Sequence, residues 1–143
     1  MPAFDYPDEL IRRVLTESRV IAMVGASPKP DRPSYRVMRF LLDRGHIVHP
    51  VNPSCAGGAI HGQTVLGHLG TLVGSVDMVD IFRRSELAGA AVDEAIAIGA
   101  RTVWMQLGVI EEEAAARAER AGLTVIMDRC PAIEYRRLGL AKS

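Results

Sequence analysis

The chain has 143 residues and a formal net charge of zero at pH 7, with 48% hydrophobic and 24% charged residues. This length and balance predict one globular domain, residues 1–143, that buries an ordinary core. Zero net charge argues against general binding to nucleic acid or to an anionic membrane, because both need a broad basic surface. The longest apolar runs have the length of strands, so no membrane-spanning segment is predicted.

The N-terminal segment and the cysteines indicate where the protein works. Residues 1–6 have neither a basic segment nor an apolar stretch, which is not the pattern of a secretion signal. Cys55 and Cys130 lie far apart without a CxxC motif, so they indicate neither a disulfide framework nor a zinc site. We therefore expect a cytoplasmic protein with reduced thiols.

The hydrophobic pattern predicts helices that alternate with short apolar strands. Apolar residues at helical spacing predict a helix at 7–17, and a continuously apolar run predicts a strand at 19–24. Ser34 is the expected N-cap of a helix at 35–44 that stops at Gly45. The later elements are expected at 46–51 (strand), 59–61 (short strand), 66–72 (short helix), 78–82 (strand), 87–98 (helix), 102–105 (strand), 111–121 (helix), 124–127 (strand) and 131–138 (helix).

The strands are continuously apolar instead of alternating, which is typical of a parallel sheet covered on both faces. Their alternation with helices and the right-handed crossover rule predict an α/β fold with a doubly wound parallel sheet. In such a sheet, ligands bind beyond the carboxyl ends of the strands. The segments at those ends are 25–36, 50–52, 83–84, 106–108 and 128–130.

The turn after the first strand has the features of a phosphate site. The strand ends at Gly25, and Ala26, Ser27 and a proline-rich loop lead into a helix. A glycine here lets the main chain approach ligand oxygens closely, while amide groups and the helix N-terminus attract an anion. The loops after this strand and after the strand at 78–82 hold five cations and only two acids. The cations are Lys29, Arg32, Arg36, Arg83 and Arg84.

A later helix is a poor place for a phosphate. Glu111, Glu112 and Glu113 occupy its first turn and satisfy its dipole themselves, so an anion would be repelled. This contrast places the expected diphosphate at the first turn, beside Gly25.

The sequence also narrows the choice of nucleotide. The Gly-Ala-Ser turn lacks both G-x-G-x-x-G and the P-loop pattern, which excludes a P-loop NTPase. An NAD site usually has Asp or Glu about 20 residues further on to bind the ribose diol. The second strand instead ends with Pro50, Val51 and Asn52 and has no carboxylate. A phosphorylated ribose suits this pattern, so NADP and coenzyme A both remain candidates.

The chain contains VGASPKPDRPSY at 24–35, PVNP at 50–53, VDIFRR at 79–84, VWMQLG at 103–108 and MDRCP at 127–131. Together and in this order, these segments resemble the small single-domain bacterial CoA-binding protein family. That family is similar to the N-terminal domain of the succinyl-CoA synthetase alpha subunit. The resemblance extends over residues 8–138 and implies a Rossmann-like CoA-binding fold with coenzyme A as the cofactor.

The resemblance also implies roles for individual residues. Gly25, Ala26 and Ser27 would contact the diphosphate, and Pro50 and Asn52 would lie on the adenosine side. The opposite wall would consist of Phe82, Arg83 and Arg84. Lys29, Arg36 and Gln106 complete the predicted binding site.

The sequence offers no complete catalytic set. Ser27 lacks the following glycine of a nucleophile elbow, and Cys130 beside Arg129 is more typical of packing than of a reactive thiol. His46 and His49 are three apart in a strand and face opposite sides, so they cannot chelate one metal. The phosphohistidine of the synthetase belongs to a further domain without a counterpart in this sequence. We expect no catalytic or metal site in the isolated chain.

Two classes of function remain open. The first is a non-catalytic carrier or sensor that binds coenzyme A or an acyl-CoA. The second is an enzyme component, which is either a CoA-dependent subunit completed by a partner chain or a small NADP-binding oxidoreductase module.

Overall fold

The computed structural model describes residues 5–140. Residues 1–4 of the N-terminal segment and residues 141–143 of the expected domain lie outside the described residues. In chain order the elements are α1 (Asp8–Glu17), β1 (Val20–Val24), α2 (Pro33–Asp43), β2 (Ile47–Val51), β3 (Ala59–Ile60), β4 (Gln63–Thr64), β5 (Met78–Ile81), α3 (Ser85–Ala97), β6 (Thr102–Met105), α4 (Glu112–Arg120), β7 (Thr124–Ile126) and α5 (Pro131–Arg137). Short 3₁₀ turns lie at Pro53–Cys55 and Leu69–Leu72.

Five strands form a parallel sheet in the order β2-β1-β5-β6-β7. The chain winds from β1 to β2 on one side and then returns to β5, β6 and β7 on the other. The winding therefore reverses between β1 and β5, and the carboxyl ends of these two strands form a switch point. The predicted α/β fold with a doubly wound parallel sheet is confirmed.

Helices cover both faces of the sheet. On one face, α1, α2 and α5 bury large side chains such as Leu15, Met38 and Tyr135 against Met23 and Trp104 of the sheet. On the other face, α3 and α4 bury mainly alanines, which let both helices lie close to the strands and to each other. The alanines are Ala88, Ala91 and Ala95 of α3 and Ala114, Ala115 and Ala118 of α4.

The predicted N-cap of α2 was wrong, and one short strand was not predicted. Ser34 is not the N-cap of α2, because the helix begins earlier, with Arg32 as N-cap and Pro33 as its first residue. Proline favours that position, since its fixed φ suits a helix and no N–H is lost there. The region at 59–72 holds the hairpin of β3 and β4 and then a 3₁₀ turn at Leu69–Leu72. The sequence did not predict β4, since a strand of two residues has no periodic signal.

Candidate ligand-binding site

A cleft of about 550 Å³ opens at the switch point, between the loops that follow β1 and β5 and the turn that follows β6. This is the edge of the sheet at which the sequence analysis expected a ligand. Its lining includes most of the predicted site residues: Gly25, Ser27, Lys29, Phe82, Arg83, Arg84 and Gln106.

The other predicted site residues are not part of this lining, and two of them, Asn52 and Arg36, form hydrogen bonds with the loop after β1. The Asn52 Nδ2 group donates to the Ala26 carbonyl oxygen at 2.9 Å, and the Asn52 Oδ1 accepts from the Ser54 amide at 3.0 Å. The Arg36 Nη1 group donates to the Asp31 carbonyl oxygen at 2.9 Å. Pro50 is buried in β2, where it lies beside Met23 of β1. Asn52 and Arg36 therefore hold the shape of the loop after β1.

Hydrogen bonds from amides of the loop after β1 fix two serine hydroxyls at the cleft. The Ser27 amide donates to Ser34 Oγ at 3.1 Å, and the Lys29 amide donates to Ser27 Oγ at 3.2 Å. Each hydroxyl oxygen accepts a hydrogen bond from an amide, so its own O–H remains available as a donor, and in the described part of the chain neither O–H donates to a protein acceptor. From the sequence, backbone amides were expected to attract the phosphate and Ser27 was expected to contact it. Two of those amides are used inside the loop, and the hydroxyls of Ser27 and Ser34 keep their O–H groups as donors.

The cleft is electropositive. Lys29, Arg32, Arg83 and Arg84 line it, and no acidic side chain does so. Across residues 5–140, none of these four cations forms an ion pair with a carboxylate. The first turn of α2 also has no acidic residue. Positive charge is thus in excess around the cleft and favours an anionic ligand.

Gly25 is required by the protein's own backbone. It has a φ of +84°, and a Cβ built there would lie 2.6 Å from the Phe82 carbonyl oxygen. The sequence analysis attributed the missing Cβ to the approach of a ligand. The structure corrects that reason, because the space is filled by the main chain that follows β5.

The turn after β6 contributes cleft residues that the sequence did not assign to the site, although segment 106–108 was expected at this edge of the sheet. Leu107, Gly108 and Val109 line the cleft together with Gln106. The Val109 amide donates to the Gln106 carbonyl oxygen at 2.8 Å, and Gly108 has a φ of +81°, so these residues form a tight turn. The Asp128 Oδ1 accepts from the Gly108 amide at 2.7 Å. A Leu-Gly pair directly after an apolar strand was the available sequence signal.

The N-terminus of α4 is arranged as the sequence predicted. Glu111 is its N-cap, and its Oε1 accepts from the Glu113 amide at 3.1 Å. Glu112 and Glu113 lie in the first turn. This helix end therefore satisfies its own dipole and does not attract a phosphate.

The carboxylates of Asp77 and Asp80 lie in different environments from each other. The Asp77 Oδ2 accepts from the amides of Arg19 and Val20, before the amino end of β1 and away from the cleft. Asp80 is fully buried in β5, and among residues 5–140 neither of its oxygens has a hydrogen-bond partner. Burial raises the pKa of the Asp80 carboxyl well above its usual value.

Histidines and cysteines lie outside the cleft lining as well. The His46 ring, before β2, contacts the Ser18 carbonyl oxygen at 2.7 Å and the Tyr135 hydroxyl at 2.5 Å. Cys130 is buried at the N-cap of α5, and Cys55 is half-buried, both as free thiols. In the described ranges, no group of three or more metal-ligating side chains could hold an ion. None of the helices there is long and apolar enough to cross a membrane.

The fold and the cleft define a class of protein: a Rossmann-like α/β domain with an electropositive cleft at the switch point of its sheet. Residues 19–136 match the CoA binding domain family, and the chain belongs to that family. The resemblance found in the sequence is therefore confirmed. The similarity to the succinyl-CoA synthetase alpha subunit stays a prediction.

Three relatives place the chain within this family and fold. The uncharacterized protein YneT of Bacillus subtilis (strain 168) is 37% identical over 120 residues, which are 84% of this chain and 87% of the relative. A hypothetical protein from Pyrococcus horikoshii OT3 has a solved structure with a TM-score of 0.91 and 36% identity, over 98% of this chain and 97% of that chain. The dinucleotide-forming acetyl-coenzyme A synthetase 1 of Ca. Korarchaeum cryptofilum shares the fold at 23% identity and a TM-score of 0.66, over 80% of this chain and 27% of that chain.

Proposed function

We propose that the chain binds coenzyme A or an acyl-CoA in the cleft at the switch point and acts as a non-catalytic carrier or sensor. The observation that carries this proposal is the cleft itself, in which four cations without carboxylate partners surround two hydroxyl donors. Membership of the CoA binding domain family supports the identity of the ligand.

The residues present fit a diphosphate. The hydroxyls of Ser27 and Ser34 would donate hydrogen bonds to phosphate oxygens, since each already accepts from an amide. Lys29, Arg83 and Arg84 would supply positive charge from both sides of the cleft. Coenzyme A would bring the thiol or thioester chemistry, and the chain would bind and orient the nucleotide end.

The second strand supports coenzyme A over NAD. No carboxylate follows β2, so the usual partner of a ribose diol is absent from that position. The Asn52 amide contacts the Ala26 carbonyl oxygen and the Ser54 amide. One N–H and one lone pair of its side chain are therefore used in the loop, and as a neutral amide it does not supply the charge of that carboxylate.

The non-catalytic role rests on the chemistry of the lining groups. No His, Cys, Asp or Glu is among the described side chains that line the cleft. The groups at hand donate hydrogen bonds or carry positive charge, so they hold an anion but do not take up a proton from a substrate.

A second candidate function is a CoA-dependent subunit that a partner chain completes. The fold match to the acetyl-coenzyme A synthetase of Ca. Korarchaeum cryptofilum favours it, because this fold forms 27% of that larger chain. Native mass spectrometry of the protein from its own cells separates the two functions. A complex with coenzyme A alone supports the carrier, whereas a complex with a second polypeptide supports the subunit.

Calorimetric titration with coenzyme A, dephospho-CoA, NAD and NADP tests the proposed ligand. We expect coenzyme A to bind more tightly than NAD, and Arg84→Ala to weaken that binding by about 1–3 kcal/mol and to lower its salt dependence. Arg120→Ala, which removes an exposed cation at the end of α4, is the matched control and should bind like the parent. Equal or tighter binding of NAD would refute the proposal.

A further inference from the structure

The turn after β6 presents a large apolar side chain to the cleft. Leu107 lines the cleft and is 54% exposed, although burial of a leucine side chain would stabilise the folded protein. Its neighbour Val109 lines the same cleft and is buried. Phe82, at the end of β5, adds a third apolar side chain. One wall of the electropositive cleft is therefore apolar.

Three hydrogen bonds from outside the turn hold it in place. The Gly108 amide donates to Asp128 Oδ1 at 2.7 Å, and the Ser85 hydroxyl donates to the Gly108 carbonyl oxygen at 3.3 Å. Ser85 Oγ also accepts from the Ile110 amide at 2.9 Å. Leu107 thus stands on a braced turn, and its exposure is a fixed feature of the cleft.

The arrangement of charged and apolar groups in the cleft restricts the chemical group that a bound ligand can carry next to its diphosphate. A diphosphate bound at Ser27 and Arg84 would place the following group of the ligand beside Phe82, Leu107 and Val109. In a dinucleotide that group is a second ribose, whose hydroxyls need polar partners. In coenzyme A it is the pantoyl unit, which carries two methyl groups on the carbon next to the ester-linked CH₂.

We propose that the turn at 106–109 is the subsite for the pantoyl unit and that Leu107 is a specificity-determining residue. It would select a branched aliphatic group over a sugar at the second phosphate. This inference rests on the proposed function and adds to it the aliphatic group that the cleft would recognise beyond the phosphates.

The test compares coenzyme A with 3′-phospho-ADP, which is coenzyme A without its pantetheine arm, by calorimetry at one salt concentration. Leu107→Asn should weaken the binding of coenzyme A roughly fivefold and leave that of 3′-phospho-ADP within about twofold. Leu107→Met, which keeps an apolar side chain, should restore the binding of coenzyme A. Leu87→Asn is the matched control, because Leu87 is 42% exposed and lies outside the cleft lining, so it should leave both affinities unchanged.

The two levels of the proposal fail in different ways. A parent protein that binds neither ligand overturns the proposed function, and this inference with it. A parent that binds coenzyme A no more tightly than 3′-phospho-ADP overturns the pantoyl subsite alone. The same holds if Leu107→Asn leaves the affinity for coenzyme A unchanged or weakens both ligands equally.

Discussion

At the scale of single residues, Gly25 shows how one position joins fold and site. Its amide donates to the Val51 carbonyl oxygen at 2.9 Å, and its missing side chain leaves room for the Phe82 carbonyl. The backbone that follows β5 can therefore lie directly against the end of β1. This contact sets the distance between the two loops that form the walls of the cleft.

We expect Gly25→Ala to destabilise the protein by at least ~2 kcal/mol, from a positive φ and from the clash with Phe82. Gly122→Ala is the matched control, because Gly122 has a similar φ of +92° and nothing lies within 4 Å of the added Cβ. That variant should lose only ~1 kcal/mol. Urea unfolding followed by circular dichroism measures both, and equal losses would show that the clash contributes nothing.

Asp80 gives the molecule a pH dependence of its own. Burial raises the pKa of its carboxyl in the folded protein, whereas the unfolded chain titrates near the ordinary value of 3.8. Between these two values, folding takes up a proton. The free energy of unfolding therefore falls as the pH rises above about 4, by at most ~1.4 kcal/mol per pH unit.

Asp80→Asn removes this titration with little change of shape. Relative to the parent, the variant should gain stability as the pH rises above 4, whatever its offset at pH 4. Urea unfolding of both proteins at several pH values measures the difference, in which the titrations of all other groups cancel. A difference that stays constant with pH would contradict the prediction.

At the scale of elements, a buried network joins α1, β2 and α5. The Tyr135 hydroxyl on α5 contacts His46 Nε2 and also the Leu15 carbonyl oxygen at 3.3 Å. His46 Nδ1 contacts the Ser18 carbonyl oxygen just after α1. Burial lowers the pKa of His46, so the unfolded chain takes up a proton at a higher pH than the folded one does. This part of the stability is complete above about pH 6.5 and is lost as the pH falls through the lowered pKa.

Tyr135→Phe should reduce the free energy of unfolding by about 1–2 kcal/mol at pH 7.5, because it leaves a buried His46 nitrogen without this partner. Tyr35→Phe is the control, since within residues 5–140 the Tyr35 hydroxyl has no hydrogen bond, and Tyr35 contacts His61 through its ring and its backbone carbonyl oxygen, which the variant keeps. That variant should stay within ~0.5 kcal/mol of the parent. Chemical denaturation of the three proteins measures the effect, and equal stabilities would speak against a role for the network.

The elements also show what the sequence can and cannot predict. The strand at 102–105 coincides with β6, because a run of apolar residues between a glycine and a polar turn has a clear signal. The sheet edge that holds the cleft follows from the alternation of strands and helices. The short hairpin of β3 and β4 has no such signal, since each strand has two residues and the segment after β4 is held by the contact of Leu66 with the end of β2, which is distant along the chain.

The residues of the site divide in the same way. A positive charge after β1 and β5 can be predicted from order along the chain, and Lys29, Arg83 and Arg84 do line one cleft. The order along the chain does not predict which of these residues face the cleft. Asn52 and Arg36 do not line it, because their side chains donate to backbone carbonyl oxygens of the loop after β1. Leu107 lies in a segment expected at this edge but was given no role, because its exposure depends on a turn that Asp128, twenty positions after Gly108, holds in place.

At the scale of the whole molecule, the charges total zero, but four cations that form no ion pair within residues 5–140 meet at one edge of the sheet. Repulsion among them is an unfavourable term in the free protein, and a bound diphosphate would remove it. A ligand that binds only the folded state raises its stability by RT ln(1 + [L]/Kd), which is about 2.7 kcal/mol at a hundredfold excess over Kd.

Coenzyme A at that excess should therefore raise the melting temperature by roughly 5–10 °C for a chain of this size. Added salt should reduce the shift, because it screens the cations that line the cleft. At the same concentration of coenzyme A, Arg84→Ala should show a smaller shift than the parent, whereas Arg120→Ala should match it. Differential scanning fluorimetry at low and high salt measures all three proteins. An unchanged melting temperature of the parent at millimolar coenzyme A would exclude tight binding in the cleft, since mass action allows no tight ligand of the folded state without such a shift.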